Sequence, residues 1–220
     1  GLAREVARQS IVLLKNKDKL LPLKKDIRTL AVIGPNADNV YNMLGDYTAP
    51  QADGTVVTVL DGIRQKVSKE TRVLYAKGCT VRDSSRTGFK DAIETARNAD
   101  AVVMVMGGSS ARDFSSEYEE TGAAKVTINQ ISDMESGEGY DRATLHLMGR
   151  QLELLEEISR LGKPVVLVLI KGRPLLMEGA IQEAEAIVDA WYPGMQGGNA
   201  VADVLFGDYN PAGRLTLSVP

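Results

Sequence analysis

Four short, largely apolar runs constrain this chain more than any other feature. They are Thr29-Leu30-Ala31-Val32-Ile33, Ala101-Val102-Val103-Met104-Val105-Met106, Pro164-Val165-Val166-Leu167-Val168-Leu169-Ile170 and Ala186-Ile187-Val188-Asp189-Ala190-Trp191. Each is too short for a core helix and rich in β-branched residues, and Gly34 and Gly107 stop the first two. Such runs suit strands buried on both faces of a sheet. A further strand is read at Arg72–Ala76. Segments with helical spacing lie between them: 57–67, 89–97, 147–161, 175–185 and 197–206. In the 147–161 segment, Leu147, Gln151, Leu154, Leu155, Ile158 and Leu161 share one face. Strands alternating with helices imply right-handed crossovers and an α/β fold. The expectation is a single domain over residues 1–220: a mostly parallel, doubly wound, flavodoxin-like sheet sandwiched between helices. Residues 2–15 carry Ala3, Val6, Ala7, Ser10, Leu13 and Leu14 at helical spacing and are read as one helix. Leu215-Thr216-Leu217-Ser218-Val219 alternates and is read as an antiparallel edge strand.

One segment breaks this rhythm. Residues 108–146 are longer than such a fold needs, and connections of that kind tend to carry function. The segment holds Ser132-Asp133-Met134-Glu135-Ser136-Gly137-Glu138-Gly139-Tyr140-Asp141-Arg142, with four carboxylates and one arginine. Gly137 and Gly139 flank Glu138 and open backbone angles closed to other residues. In a parallel sheet, ligands bind outside the carboxyl ends of the strands, and this loop leaves from that edge. Residues 108–146, with few apolar anchors, are also expected to be the most mobile part of the isolated domain.

The rest of the composition narrows the chemistry. A net charge of −3 gives no general attraction for nucleic acid or anionic membrane. No apolar run approaches the length of a membrane span. The single histidine, His146, cannot form a metal cluster and is read as a surface or cap position; no metal or cofactor is implied. The lone Cys79 excludes an internal disulfide. The glycine clusters at Gly34, Gly107-Gly108 and Gly194–Gly198 match no full nucleotide fingerprint and are read as strand ends. Tyr41, Tyr47, Trp191 and Tyr192 are read as packing residues, with a share in a ligand rim left open. Carboxylates are the well-supplied catalytic groups. Glycoside hydrolysis needs two, one of them an acid whose pKa partial burial raises. Glu138 fits that acid if partly buried, Glu135 is read as a solvated or salt-bridged carboxylate, and Arg142 is expected to pair with Asp141 or Asp133, or with Glu135, and stiffen the loop. A short loop cannot easily place two carboxyls on opposite sides of one glycosidic bond, so the sequence supplies one half of the pair and not the second.

The motifs resemble the C-terminal α/β sandwich domain of family 3 glycoside hydrolases, the β-glucosidase and β-xylosidase family. The resemblance is carried by Ala3–Asn16 with Leu20-Leu21-Pro22-Leu23, Ala31–Ala37, Ser136-Gly137-Glu138-Gly139-Tyr140-Asp141-Arg142, Trp191-Tyr192-Pro193-Gly194, Ala202–Gly207 and Asn210–Leu215. Met148 stands where the family usually has proline, and 108–131 follows no motif of the family. The resemblance implies that Glu138 is the acid/base of a retaining mechanism, with Asp141 and Arg142 supporting its loop. It implies a nucleophile on a preceding (β/α)8 barrel absent from this chain, a glycoside substrate, no cofactor, and an isolated domain inactive alone. A periplasmic or secreted location is the expectation for the full-length protein, with the cytoplasm as the alternative. Two rival readings stand beside it: a non-catalytic carbohydrate-binding or interface module, and a nucleotide-binding doubly wound domain.

Overall fold

The computed structural model describes residues 1–111, 120–121 and 133–218. Most of the approach to the acidic loop, and with it the expectation of mobility there, lies outside these residues. One six-stranded sheet forms the centre. Its strands are β1 (Val12–Asn16), β2 (Thr29–Ile33), β3 (Arg72–Ala76), β4 (Ala101–Gly107), β5 (Val165–Ile170) and β6 (Ala186–Trp191). Their spatial order is β1-β6-β5-β4-β2-β3. The pairs from β3 through β6 are parallel, and β1 runs antiparallel to β6 at the edge.

Among the described residues six α-helices cover the two faces: α1 (Leu2–Ser10), α2 (Val59–Lys66), α3 (Phe89–Arg97), α4 (Gln151–Ser159), α5 (Ala180–Glu183) and α6 (Gly197–Leu205). The pleat sends alternate residues of each strand to opposite faces. Leu30, Val32, Val103, Val105, Val166 and Val168 therefore join residues of α1, α2 and α6 in one core. Ala31, Ile33, Val102, Met104, Leu167 and Leu169 join residues of α3, α4 and α5 in the other. Each fully buried aliphatic side chain of this kind contributes about 1.5–3 kcal/mol relative to exposure. Thr58 caps α2: its hydroxyl accepts from the Asp61 amide at 3.2 Å and donates to Asp38 at 3.0 Å.

Four readings of the sequence are corrected. The first helix ends at Ser10, and Ile11 is extended at φ −67°, ψ 132°. The run that follows becomes β1, because the edge beside β6 can pair with it and fix its register. Residues 215–218 form no strand, and Leu215 and Leu217 lie exposed. The 147–161 helix starts only at Gln151, after Gly149 turns the chain at φ +63°. Of 175–185, only Ala180–Glu183 is helical, since Gly179 breaks the path at φ +83° and the Leu176 amide instead bonds the Leu145 carbonyl at 2.9 Å. Among the described residues no helix is long and apolar enough to cross a membrane.

Candidate functional site

The strand order reverses at one place. From β2 the chain steps outward to β3, then returns past β2 to β4 and continues to β5 and β6. The carboxyl ends of β2 and β4 are therefore the switch point, where a doubly wound fold opens its crevice. Side chains occupy that crevice here. Asn36, fully buried, donates its amide to the carbonyls of Gly108 (3.0 Å) and Ile170 (3.3 Å). Its own oxygen accepts from Asn42 at 2.7 Å, and Asn42 in turn accepts from the Ser109 hydroxyl at 2.6 Å. The Ser109 carbonyl then receives the amides of Glu135 (2.8 Å) and Ser136 (3.2 Å). A continuous chain of buried hydrogen bonds thus runs from the strand ends to the acidic loop. Buried polar groups satisfied in this way fix a single geometry.

The far side of the loop base is held as well. Asp133 accepts from the amides of Val81 (3.0 Å) and Arg82 (3.4 Å), and the Arg82 guanidinium donates to the Met134 carbonyl at 2.8 Å. Met134 is buried and anchors the segment from below. Beyond it the loop emerges. Gly137 and Gly139 take φ +111° and +81°, and Glu138 stands exposed between them. Its carboxylate accepts from the Tyr47 hydroxyl at 2.6 Å, and its amide reaches Asp46 at 3.4 Å. Tyr47 is 75% exposed and adopts φ +57°, a rare angle for an aromatic residue. Tyr192 closes the other side, with its hydroxyl 3.3 Å from that of Ser136.

These positions change several expectations. Glu138 is exposed, so the partial burial that an acid at neutral pH requires is not met within the described residues. Arg142 pairs with Glu135 at 2.6 Å, not with Asp141 or Asp133, and also donates to the His146 carbonyl. Asp133 is spent on backbone amides, and Asp141 is exposed with no side-chain hydrogen bond among the described residues. Glu135 is 2% exposed, so its carboxylate is not solvated; it is the salt-bridged one. The sequence held a sign of this, because Met134 is the one apolar side chain in the stretch 132–139 and marks where the loop turns inward. Tyr47 is not a packing residue. Its hydrogen bond to Glu138 spans two loops far apart in the sequence, and no local pattern shows that. His146 lies exposed, and among the described residues no group of three or more His, Cys, Asp or Glu could hold a metal ion.

The arrangement presents one carboxyl on a rigid stem at the ligand-binding edge of the sheet. Comparisons with known proteins identify the family. The model of the glycosyl hydrolase family 3 C-terminal domain matches residues 11–220. A β-xylosidase of Formosa agariphila is 43% identical over 99% of this chain, and a periplasmic β-glucosidase of Salmonella typhimurium is 37% identical over 99%. The chain spans 28% of the length of each. Among solved structures, a β-glucosidase from Listeria innocua in complex with glucose superposes with a TM-score of 0.78 at 28% identity, covering 99% of this chain and 26% of its own. A β-glucosidase from Erythrobacter marinus gives 0.76 at 36% identity, covering 96% of this chain and 28% of its own. The match in sequence and in fold runs almost end to end, and the chain belongs to the glycosyl hydrolase family 3 C-terminal domain family.

Proposed function

We propose that this chain supplies the acid/base glutamate, Glu138, to a retaining β-glycosidase acting on terminal β-D-glucosyl or β-D-xylosyl residues. The nucleophile stands on a (β/α)8 barrel elsewhere in the longer protein. The observation that carries the reading is the presentation of Glu138: an exposed carboxylate between two glycines, on a loop tied to the switch point. A single carboxyl offered outward is half of the pair that glycoside hydrolysis needs. The short span of the chain against its relatives leaves ample room for the other half. Docking against a barrel face would exclude water from Glu138 and provide the burial an acid needs. The periplasmic name of one relative favours the same location for the longer protein.

The filled switch point argues against the nucleotide-binding reading, since Asn36, Asn42 and Ser109 occupy the crevice. The test uses leaving groups. In the longer protein, Glu138→Gln should slow phenyl glycosides far more than dinitrophenyl glycosides, by about 10²–10⁴-fold on the former, because a poor leaving group needs the proton. Added azide should restore turnover of the activated substrate by replacing the base-activated water. The 220-residue chain alone should show no turnover. Equal loss on both substrates, or turnover by the isolated chain that Glu138→Gln abolishes, would sink the reading.

A further inference from the structure

The buried half of the acidic loop suggests a second role. Glu135 lies three residues before Glu138, and Arg142 four after it. The Glu135 side chain has 0% exposure and that of Arg142 4%, with the guanidinium nitrogen 2.6 Å from Oε2. The pair closes the segment 135–142 at its base and leaves Glu138 at its tip. Arg173, just past the end of β5, approaches the same Oε2 at 3.8 Å and donates to the Tyr140 carbonyl at 3.4 Å. One carboxylate thus gathers two arginines, and each arginine also holds a carbonyl of the acidic loop or of the turn after it. The other oxygen, Oε1, has no hydrogen-bond partner among the described residues and packs against Gly108, where an added Cβ would overlap it.

A buried ion pair with an unmatched acceptor is a poor device for stability, because desolvation offsets the attraction. Its value is directional: a guanidinium holds a carboxylate in a defined plane. We propose that Glu135 is a positioning residue for Glu138. Clamped by Arg142 and Arg173, it sets the place and orientation in which the loop tip offers its carboxyl to the leaving-group oxygen. This inference rests on the acid/base reading of Glu138. Catalysis by a positioned acid is sensitive to small displacements, so loosening the clamp should degrade proton transfer while leaving the sugar's other contacts intact.

The test compares Glu135→Gln, Arg173→Lys and Glu138→Gln in the longer protein over a series of aryl glycosides from dinitrophenyl to phenyl. Glu135→Gln should lose about a hundredfold in kcat/KM on the phenyl substrate and under about threefold on the dinitrophenyl one. Inhibition by a glycone mimic should stay unchanged, and azide should give no acceleration, because the Glu138 carboxylate is still in place. Arg173→Lys should shift the series in the same direction by a smaller factor, and it decides the matter if the Glu135 variant fails to fold. A uniform loss across the series in both variants would mean a structural role alone and would overturn the proposal. If instead Glu138→Gln shows neither leaving-group dependence nor azide acceleration, the acid/base reading itself falls, whatever the Glu135 variant does.

Discussion

The pair Lys171–Asp189 sits beside the site but outside its chemistry, and it allows a quantitative test of the core. Lys171 Nζ lies 2.7 Å from Asp189 Oδ2, with side-chain exposures of 2% and 1%. The ammonium also stands 3.9 Å from the centre of the Trp191 ring. Asp189 Oδ1 accepts from the Trp191 amide at 3.2 Å, a bond that an asparagine of equal shape keeps. Asp189→Asn therefore removes charge and little else. A buried ion stripped of its partner costs about 3–5 kcal/mol. The retained cation–π contact moderates this, so about 3 kcal/mol is expected, toward the lower end. For a chain of this size that is a fall in Tm of about 6–12 °C. Burial pushes the Asp189 carboxyl up even with Lys171 beside it, so desolvation outweighs the attraction in the intact pair. Replacing both, as Lys171→Met with Asp189→Leu, should then recover stability to within about 1 kcal/mol of the parent. Urea titration and calorimetry of the three proteins would measure this. A single replacement costing under about 1 kcal/mol would refute the reasoning, as would a double replacement worse than the single.

Further outcomes follow from other contacts. Hydrogen bonds from Lys25 and Lys66 hold the Asp208 carboxyl at about 2, so its folded-state pKa is depressed. Its contribution is present above the ordinary aspartate value and is lost as pH falls toward 2; Asp208→Asn should flatten the stability-versus-pH curve between about pH 4 and pH 2, by under about 1 kcal/mol since the group is partly exposed. An unchanged slope would rule that out. Gly108→Ala should displace Glu135 from its clamp and reproduce the steeper leaving-group dependence of Glu135→Gln; wild-type kinetics across the aryl series would contradict the packing described for Oε1.

Much of the sheet was legible because its strands are buried on both faces and so are written as unbroken apolar runs. β4 and β5 stand within a residue of their expected limits for that reason. The first fifteen residues were not legible. Ile11-Val12-Leu13-Leu14 continues the helical spacing of Ala3, Val6 and Ala7, yet it is also a strand-like run. Only the vacancy beside β6, a fact of tertiary structure, decides between them. At the other end, the alternation of Leu215–Val219 suggested an edge strand, but the described residues 215–218 form none. In the site, the flanking glycines and the acidic character marked Glu138 directly. The partners of that loop were hidden, since Tyr47 and Arg173 reach it from two other connections and Ser109 from the distant start of its own. Periodicity carries no record of which loops meet.

The asparagine–serine chain over the switch point has a mechanical consequence. In a sheet of this topology the gap between β2 and β4 is ordinarily a berth for a ligand; here it is a socket for the loop's own stem. The loop is thus rooted at the strand ends, and its tip is braced by Tyr47 and Asp46. A tilt at the Ser109 carbonyl is passed through Glu135 and Ser136 toward the Glu138 carboxyl. Gly137 is tied to that socket too, since an added Cβ would press on the buried Met134. Asn36 and Asn42, buried beneath the loop, therefore share the aiming of that carboxyl with the Glu135 clamp and Tyr47.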